Sequence, residues 1–122
     1  MIHTYKDLQV WKKAVALTLE IYKITGMFPK QEIFGLTSQM RRSAVSIPSN
    51  IAEGKLRGGS KECRQFFLIA FGSGGELETQ IEISKQLPIM KNLNYNKVSS
   101  LLDEVMKMLN VLINKTLEPK KF

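Results

Sequence analysis

The chain has 122 residues, a length that fits one domain, and we expect residues 1–122 to form a single domain. Its 18 lysines and arginines exceed its 11 aspartates and glutamates, and the net charge of +7 favours an acidic partner such as nucleic acid. A lone cysteine and a lone histidine exclude an intramolecular disulfide and argue against a zinc finger or a Ser-His-Asp triad. We therefore expect a cytoplasmic, non-catalytic protein that uses no metal or cofactor and spans no membrane.

The first predicted helix starts with Thr4 and Asp7, which have the spacing of a capping box, and it ends at Thr25-Gly26. Apolar residues recur along it with helical periodicity. They cover more of the circumference than one buried face requires. The excess predicts burial on two sides, inside the subunit and against another subunit.

The second predicted helix takes Pro29 as its first residue. Its apolar residues fall along one line: Ile33, Leu36, Met40, Ala44, Ile47 and Ile51. Pro48 removes the hydrogen bond to the Ala44 carbonyl, and we expect a kink there, not a stop, because the line resumes afterwards. Gly54 and Gly58-Gly59 are expected to bracket the following turn.

The third predicted helix begins with Ser60 as its N-cap and ends before Pro88. Small residues within it would allow another backbone to approach closely: Gly72, Gly74 and Gly75. Asn94 or Asn96 can cap a fourth helix, and no segment alternates as a strand does. Four long helices with short connections predict an all-α, antiparallel up-and-down four-helix bundle.

Several stretches of this sequence resemble one known family: residues 7–11, 28–29, 34–44, 46–54, 72–73 and 76–79. They are similar to the bacterial four-helix-bundle proteins encoded by intervening sequences in 23S ribosomal RNA genes. The most specific stretch, Asn-Ile-Ala-Glu-Gly, belongs to a structural motif that includes Pro48, Asn50, Glu53 and Gly54. The family's usual pattern of glycine and leucine after the third helix is only partly present, and Leu87-Pro88-Ile89 stands in its place.

The resemblance carries expectations about assembly and partners. It implies an up-and-down bundle that forms a homopentameric ring and has no assigned enzymatic activity. A related accessory protein of diversity-generating retroelements is similar in fold. Its likeness implies binding of nucleic acid and of a reverse transcriptase through a basic surface.

Positive charge is concentrated in the middle of the chain. Between residues 41 and 64 there are two acidic residues and six basic ones: Arg41, Arg42, Lys55, Arg57, Lys61 and Arg64. We expect these six to form one clustered basic face, with Arg57 and Lys61 brought to the same end of the bundle by the Gly58-Gly59 turn, and to bind the phosphates of RNA or DNA. The alternative is a solvated basic face in which Arg42 or Arg57 pairs with a carboxylate, in the same subunit or in a neighbouring one.

No aromatic residue lies between Arg41 and Arg64, and stacking on aromatic side chains is how proteins usually recognise single strands. We therefore expect nucleic-acid binding with weak sequence preference. The rival function is a protein adaptor, a ring that docks an RNA-processing or reverse-transcribing enzyme.

Glu78 and Glu82 lack the Glu-x-x-His pairs of carboxylate metal bundles and predict a hydrated or subunit-pairing acidic stripe. Asn50 and Glu53 are expected to satisfy backbone groups freed near Pro48 or Gly54, and Cys63 to be buried.

Overall fold

The computed structural model describes residues 4–116, in which there are helices and no strand. Two short 3-10 helices, Tyr5–Asp7 and Lys30–Glu32, precede the first and second long helices. The four α-helices are α1 (Gln9–Thr25), α2 (Leu36–Arg57), α3 (Ser60–Gln86) and α4 (Asn96–Lys115). The expected all-α bundle is confirmed. Within the described residues, none of these helices has the length and apolarity needed to cross a bilayer.

The helices run antiparallel to their neighbours. In each contacting pair, later residues of one helix meet earlier residues of the other. Between α1 and α2, Thr18 contacts Ala44 and Thr25 contacts Arg41. Between α2 and α3, Met40 contacts Ser84 and Ser46 contacts Ser73. Between α1 and α4, Lys13 contacts Glu104 and Glu20 contacts Lys97, so the direction alternates along the chain and α4 closes the bundle against α1.

Each helix contributes completely buried side chains to one core, among them Leu17, Ile47, Leu77 and Leu109. Burying a side chain of this size contributes about 1.5–3 kcal/mol to folding. The outward side of α1 is different, because Leu19 is 58% exposed and Tyr22 is 44% exposed. The inner burial predicted for α1 is confirmed, and the burial of its outer face against another subunit remains a prediction.

The predicted start of the second helix was wrong. Pro29 precedes the 3-10 helix Lys30–Glu32, and α2 begins at Leu36. The Glu32 carboxylate folds back and accepts the Leu36 N–H at 3.2 Å, which satisfies one of the unpaired donors at the new helix start. Ile33 consequently lies outside the helix and is 54% exposed instead of continuing the buried line.

The other predicted ends differ from the structure by smaller amounts. The capping box is confirmed, with the Asp7 carboxylate accepting from the Thr4 N–H at 3.2 Å, but it caps the 3-10 helix, and α1 starts two residues later. Ser60 is the first residue of α3 and makes no capping hydrogen bond. Asn94 accepts the Asn96 N–H at 2.9 Å before α4. As predicted, α1 ends at Thr25 and α3 ends before Pro88.

Pro48 lies inside α2, which continues through it as expected. The Ala44 carbonyl that proline leaves without an N–H partner accepts from Thr18 Oγ1 of α1 at 3.1 Å. That hydroxyl also lies 2.8 Å from the Ala14 carbonyl, so its one proton is shared between two acceptors. Asn50 binds a backbone carbonyl near Pro48, as expected, but its Nδ2 donates to the Ser46 carbonyl at 2.8 Å and not to the freed Ala44 carbonyl.

The glycines serve two different purposes. Gly58 has a φ of 82° and ends α2, whereas Gly54 lies inside the helix and not at the turn. A Cβ at Gly54 would lie 3.1 Å from the Cys63 carbonyl oxygen of α3. Gly74 similarly admits the Met106 side chain of α4. Gly72 and Gly75 face open space, so the close approach predicted for these two is not found within the subunit.

Candidate nucleic-acid interface

The six predicted basic residues do not share one end of the bundle. Arg41 and Arg42 lie near the start of α2, and Lys55 and Arg57 lie in its last turn. Because α2 is unbroken and rises about 1.5 Å per residue, roughly 20 Å separates the two pairs. Lys61 and Arg64 follow directly in α3. We call Lys55, Arg57, Lys61 and Arg64 the turn-end group, and the expectation of a single cluster of six is corrected.

Arg41 is held against α1. Its Nε donates to Thr25 Oγ1 at 2.9 Å, and its Nη2 donates to the Tyr22 carbonyl at 3.3 Å. Its guanidinium also lies 4.5 Å from the centre of the Tyr22 ring. Arg42, the next residue, is exposed and forms no ion pair within residues 4–116. Arg41 is therefore committed to the α1–α2 contact, and Arg42 is available to a partner.

Arg57 already has a carboxylate partner in its own subunit. Its Nε donates to Glu53 Oε2 at 2.8 Å, and its guanidinium lies 5.3 Å from the centre of the Phe66 ring. The hydrogen bond that Arg57 donates to Glu53 raises the pKa of Arg57 above its ordinary value. Glu53 thus pairs with a side chain and not with a freed backbone group, which corrects its predicted role. The Arg57 side chain is still 53% exposed, so its remaining N–H groups can reach a ligand.

Lys55 and Lys61 are exposed and have no carboxylate within ion-pair distance in the described part of the chain. Arg64 is half-buried, and its Nε is buried without a hydrogen-bond partner. Compact ammonium groups in water and partly free guanidinium groups are suited to phosphate oxygens. Lys55, Lys61 and the exposed part of Arg57 therefore have the chemistry that phosphate oxygens require.

Sequence reasoning missed Lys6. The 3-10 helix Tyr5–Asp7 packs beside the end of α2, where Lys6 and Lys55 line the same surface depression together with Leu56. The capping box predicted an ordered turn at Thr4 but carried no signal of which helix end it would adjoin. The basic surface thus extends from the α2–α3 turn to the N-terminal 3-10 helix.

The residues around the turn-end group include one aromatic ring, one exposed leucine and one cysteine. Phe66 lies half-buried beneath Arg57, and the most exposed apolar side chain near it is Leu56. Cys63 is buried as expected, and desolvation raises the pKa of its thiol, which keeps it protonated and poorly nucleophilic. Within residues 4–116, no three His, Cys, Asp or Glu side chains are grouped so that they could hold a metal ion.

The four residues of the proposed structural motif have separate roles that all concern the packing of α2. Pro48 frees a carbonyl for Thr18, Asn50 binds the Ser46 carbonyl and hydroxyl, Glu53 holds Arg57, and Gly54 admits α3. These contacts fix the helix on which the turn-end group is carried.

No curated protein matches the chain at a significant level. The family model described as 23S rRNA-intervening sequence protein matches residues 6–111, which include all four helices except the last residues of α4. The chain therefore belongs to the 23S rRNA-intervening sequence protein family.

Proposed function

We propose that this protein is a non-catalytic, cytoplasmic, homo-oligomeric bundle that binds the phosphate backbone of RNA or DNA through the turn-end group and Lys6. The observation that carries the proposal is the grouping of these cations at one end of the bundle, with Lys55 and Lys61 free of carboxylates in the described structure. Contacts of this kind position a nucleic acid without reading its bases.

Assembly would multiply these contacts. We propose that copies form the homopentameric ring that the family resemblance implies, with the exposed Leu19 and Tyr22 of α1 among the surfaces that become covered. A ring repeats the turn-end group on each subunit. Modest contacts at each copy then combine through effective concentration into tighter binding of a long polyanion.

Replacing Lys55, Arg57 and Lys61 together by alanine tests the proposal. We expect weaker binding of mixed-sequence single-stranded RNA, uniform across sequences, in a salt titration followed by fluorescence anisotropy. If all three contact phosphates, the slope of log affinity against log salt becomes shallower by about 2, since each contact contributes about 0.7.

The matched control is Lys91→Ala, which removes an exposed lysine in the connection between α3 and α4, at the opposite end of the bundle, and should leave RNA binding close to that of the unmodified protein. Circular dichroism and light scattering on both variants establish that folding and assembly are retained. An unchanged slope for the triple variant would contradict the proposed site. Loss of assembly in that variant would instead identify the three residues as subunit contacts.

Removing the carboxylate that competes for Arg57 should have the opposite effect. We expect Glu53→Gln to raise affinity for the same RNA by about two- to fivefold, because the exposed ion pair between Glu53 and Arg57 no longer opposes phosphate binding. The anisotropy titration at fixed salt measures it. A fall in affinity would show that Glu53 orients Arg57 for the ligand and does not compete with it.

A protein adaptor is the second candidate function, and one observation favours it. Leu56 is 71% exposed between Lys55 and Arg57, and an apolar side chain inside a basic surface is typical of a contact with another protein. The partner would be an acidic surface of an RNA-processing or reverse-transcribing enzyme. Absence of RNA binding at low ionic strength would favour this function over the first.

A further inference from the structure

A groove on the outer side of α1 and α2 combines exposed apolar side chains with arginine. It has a volume of about 450 Å³ and lies at the opposite end of α2 from the turn-end group. Its apolar lining comes from Tyr22, Ile33 and Val45, each at least 41% exposed. Arg41, already fixed by Thr25, and the unpaired Arg42 supply its charge. We call this surface the basic groove.

The outer side of α3 carries the opposite charge. Glu78, Thr79, Glu82 and Ile83 line a shallow depression of about 510 Å³, and Ile83 is 46% exposed. Glu82 accepts a hydrogen bond from Gln86 at 3.0 Å, and within residues 4–116 neither glutamate forms an ion pair. We call this surface the acidic face. It presents to solvent an apolar side chain flanked by unpaired carboxylates.

The two surfaces lie at the same height along the bundle. Ser84 of α3, next to Ile83, contacts Met40 of α2 with 3.6 Å between oxygen and sulfur, and Met40 directly precedes the arginines of the basic groove. In a closed ring whose axis is parallel to the helices, each copy is related to the next by rotation alone, with no shift along the axis. Two surfaces that meet in such a ring must therefore lie at the same height, on different sides of the bundle.

We propose that the basic groove of each copy receives the acidic face of the next copy, with Arg42 paired to Glu78 or Glu82 across the contact. Both surfaces offer apolar area to bury, and their charges are complementary. Contacts between two grooves or between two acidic faces would place like charges together, so the contact is between unlike surfaces. This inference rests on the proposed assembly and assigns Arg42 to it, while the turn-end group remains free for nucleic acid.

The test uses charge reversal on each surface and on both together. Two variants each reverse the charge of one surface: Arg42→Glu, and the double variant Glu78→Lys with Glu82→Lys. In either variant like charges face each other across the contact. Light scattering and sedimentation should therefore show that the concentration at which half of the oligomer dissociates rises by about tenfold or more. The chain that carries all three reversals restores unlike charges across the contact and should reassemble. Lys61→Glu is the matched control, since it reverses one exposed charge in the turn-end group, at the other end of the bundle, and should assemble normally.

The outcomes separate this inference from the proposal on which it rests. If the unmodified protein assembles and the single-surface variants assemble equally well, this pairing of surfaces is wrong and the proposed oligomer stands. If the triple variant fails to reassemble while circular dichroism shows native helicity, the pairing of Arg42 with these glutamates is likewise wrong. A species of one chain for the unmodified protein would overturn the proposed assembly itself.

Discussion

Replacing Gly54 by leucine is expected to lower the free energy of unfolding by about 1–2 kcal/mol. A Cβ at this position would lie 3.1 Å from the Cys63 carbonyl oxygen and 3.1 Å from Phe66 Cβ, so the added side chain has to push α3 away from α2. Overpacking of this kind costs about 1–3 kcal/mol, and backbone atoms give way less readily than the end of a flexible side chain. The gain in helix propensity, about 1 kcal/mol, offsets only part of the cost.

Urea denaturation followed by circular dichroism measures this change, and Gly72→Leu is the matched control. Gly72 lies within α3, and a Cβ there would meet no atom within 4 Å, so the same substitution should leave stability unchanged or raise it by up to about 1 kcal/mol. Equal effects of the two substitutions would show that α2 and α3 are not in close contact at Gly54. The comparison isolates the packing of the two helices from the general cost of glycine in a helix.

Gly54 also illustrates what the sequence could and could not predict. The helical periodicity of the apolar residues predicted the four helices, because burial of one face is the main reason such segments are helical. The same pattern could not separate a glycine that ends a helix from one that lies between two helices. Gly58 and Gly54 are four residues apart, and only the path of α3 distinguishes their roles.

The candidate site was predicted in part, for a similar reason. Charge counting found the basic segment, and the continuation of α2 through Pro48 was expected, but the contact that accommodates the proline could not be predicted. Thr18 accommodates it by donating to the Ala44 carbonyl from another helix, a contact across 26 residues. With α2 continuous, Arg42 and Arg57 lie at different ends. Lys6 joins the second of them only through the antiparallel pairing of α1 with α2.

The separation of the two arginines assigns a different partner to each end of the bundle. The turn-end group lies beside Lys6 and one strongly exposed apolar side chain, Leu56, whereas the basic groove has three exposed apolar side chains beside Arg42. A phosphate backbone gains little from apolar area, and a protein surface gains much. We therefore expect Arg42 variants to change assembly and turn-end variants to change nucleic-acid affinity.

Replacing Leu77 by alanine is expected to have the largest effect on stability, a loss of about 3–4 kcal/mol. Leu77 is completely buried on α3, in contact with the core that all four helices share. Truncation of such a leucine removes its transfer free energy and leaves a cavity, and measured losses for this change run from about 2.7 to 5 kcal/mol. A chain of this length has a total stability of about 6–18 kcal/mol, so the loss is a large fraction of it.

Leu68→Ala on the same helix is the matched control, because Leu68 is exposed and its truncation should cost less than about 1 kcal/mol. Urea titrations at several protein concentrations measure both variants. If the chain assembles as proposed, the unfolding midpoint rises with concentration for each protein, and the difference between Leu77→Ala and the unmodified chain must be taken at equal concentration.

A loss below about 1 kcal/mol for Leu77→Ala would contradict the packed core, since relaxation of the helices rarely removes so much of a cavity. A large loss for Leu68→Ala that disappears on dilution would instead place the outer side of α3 in a subunit contact, because dilution removes intermolecular burial and leaves the core unchanged.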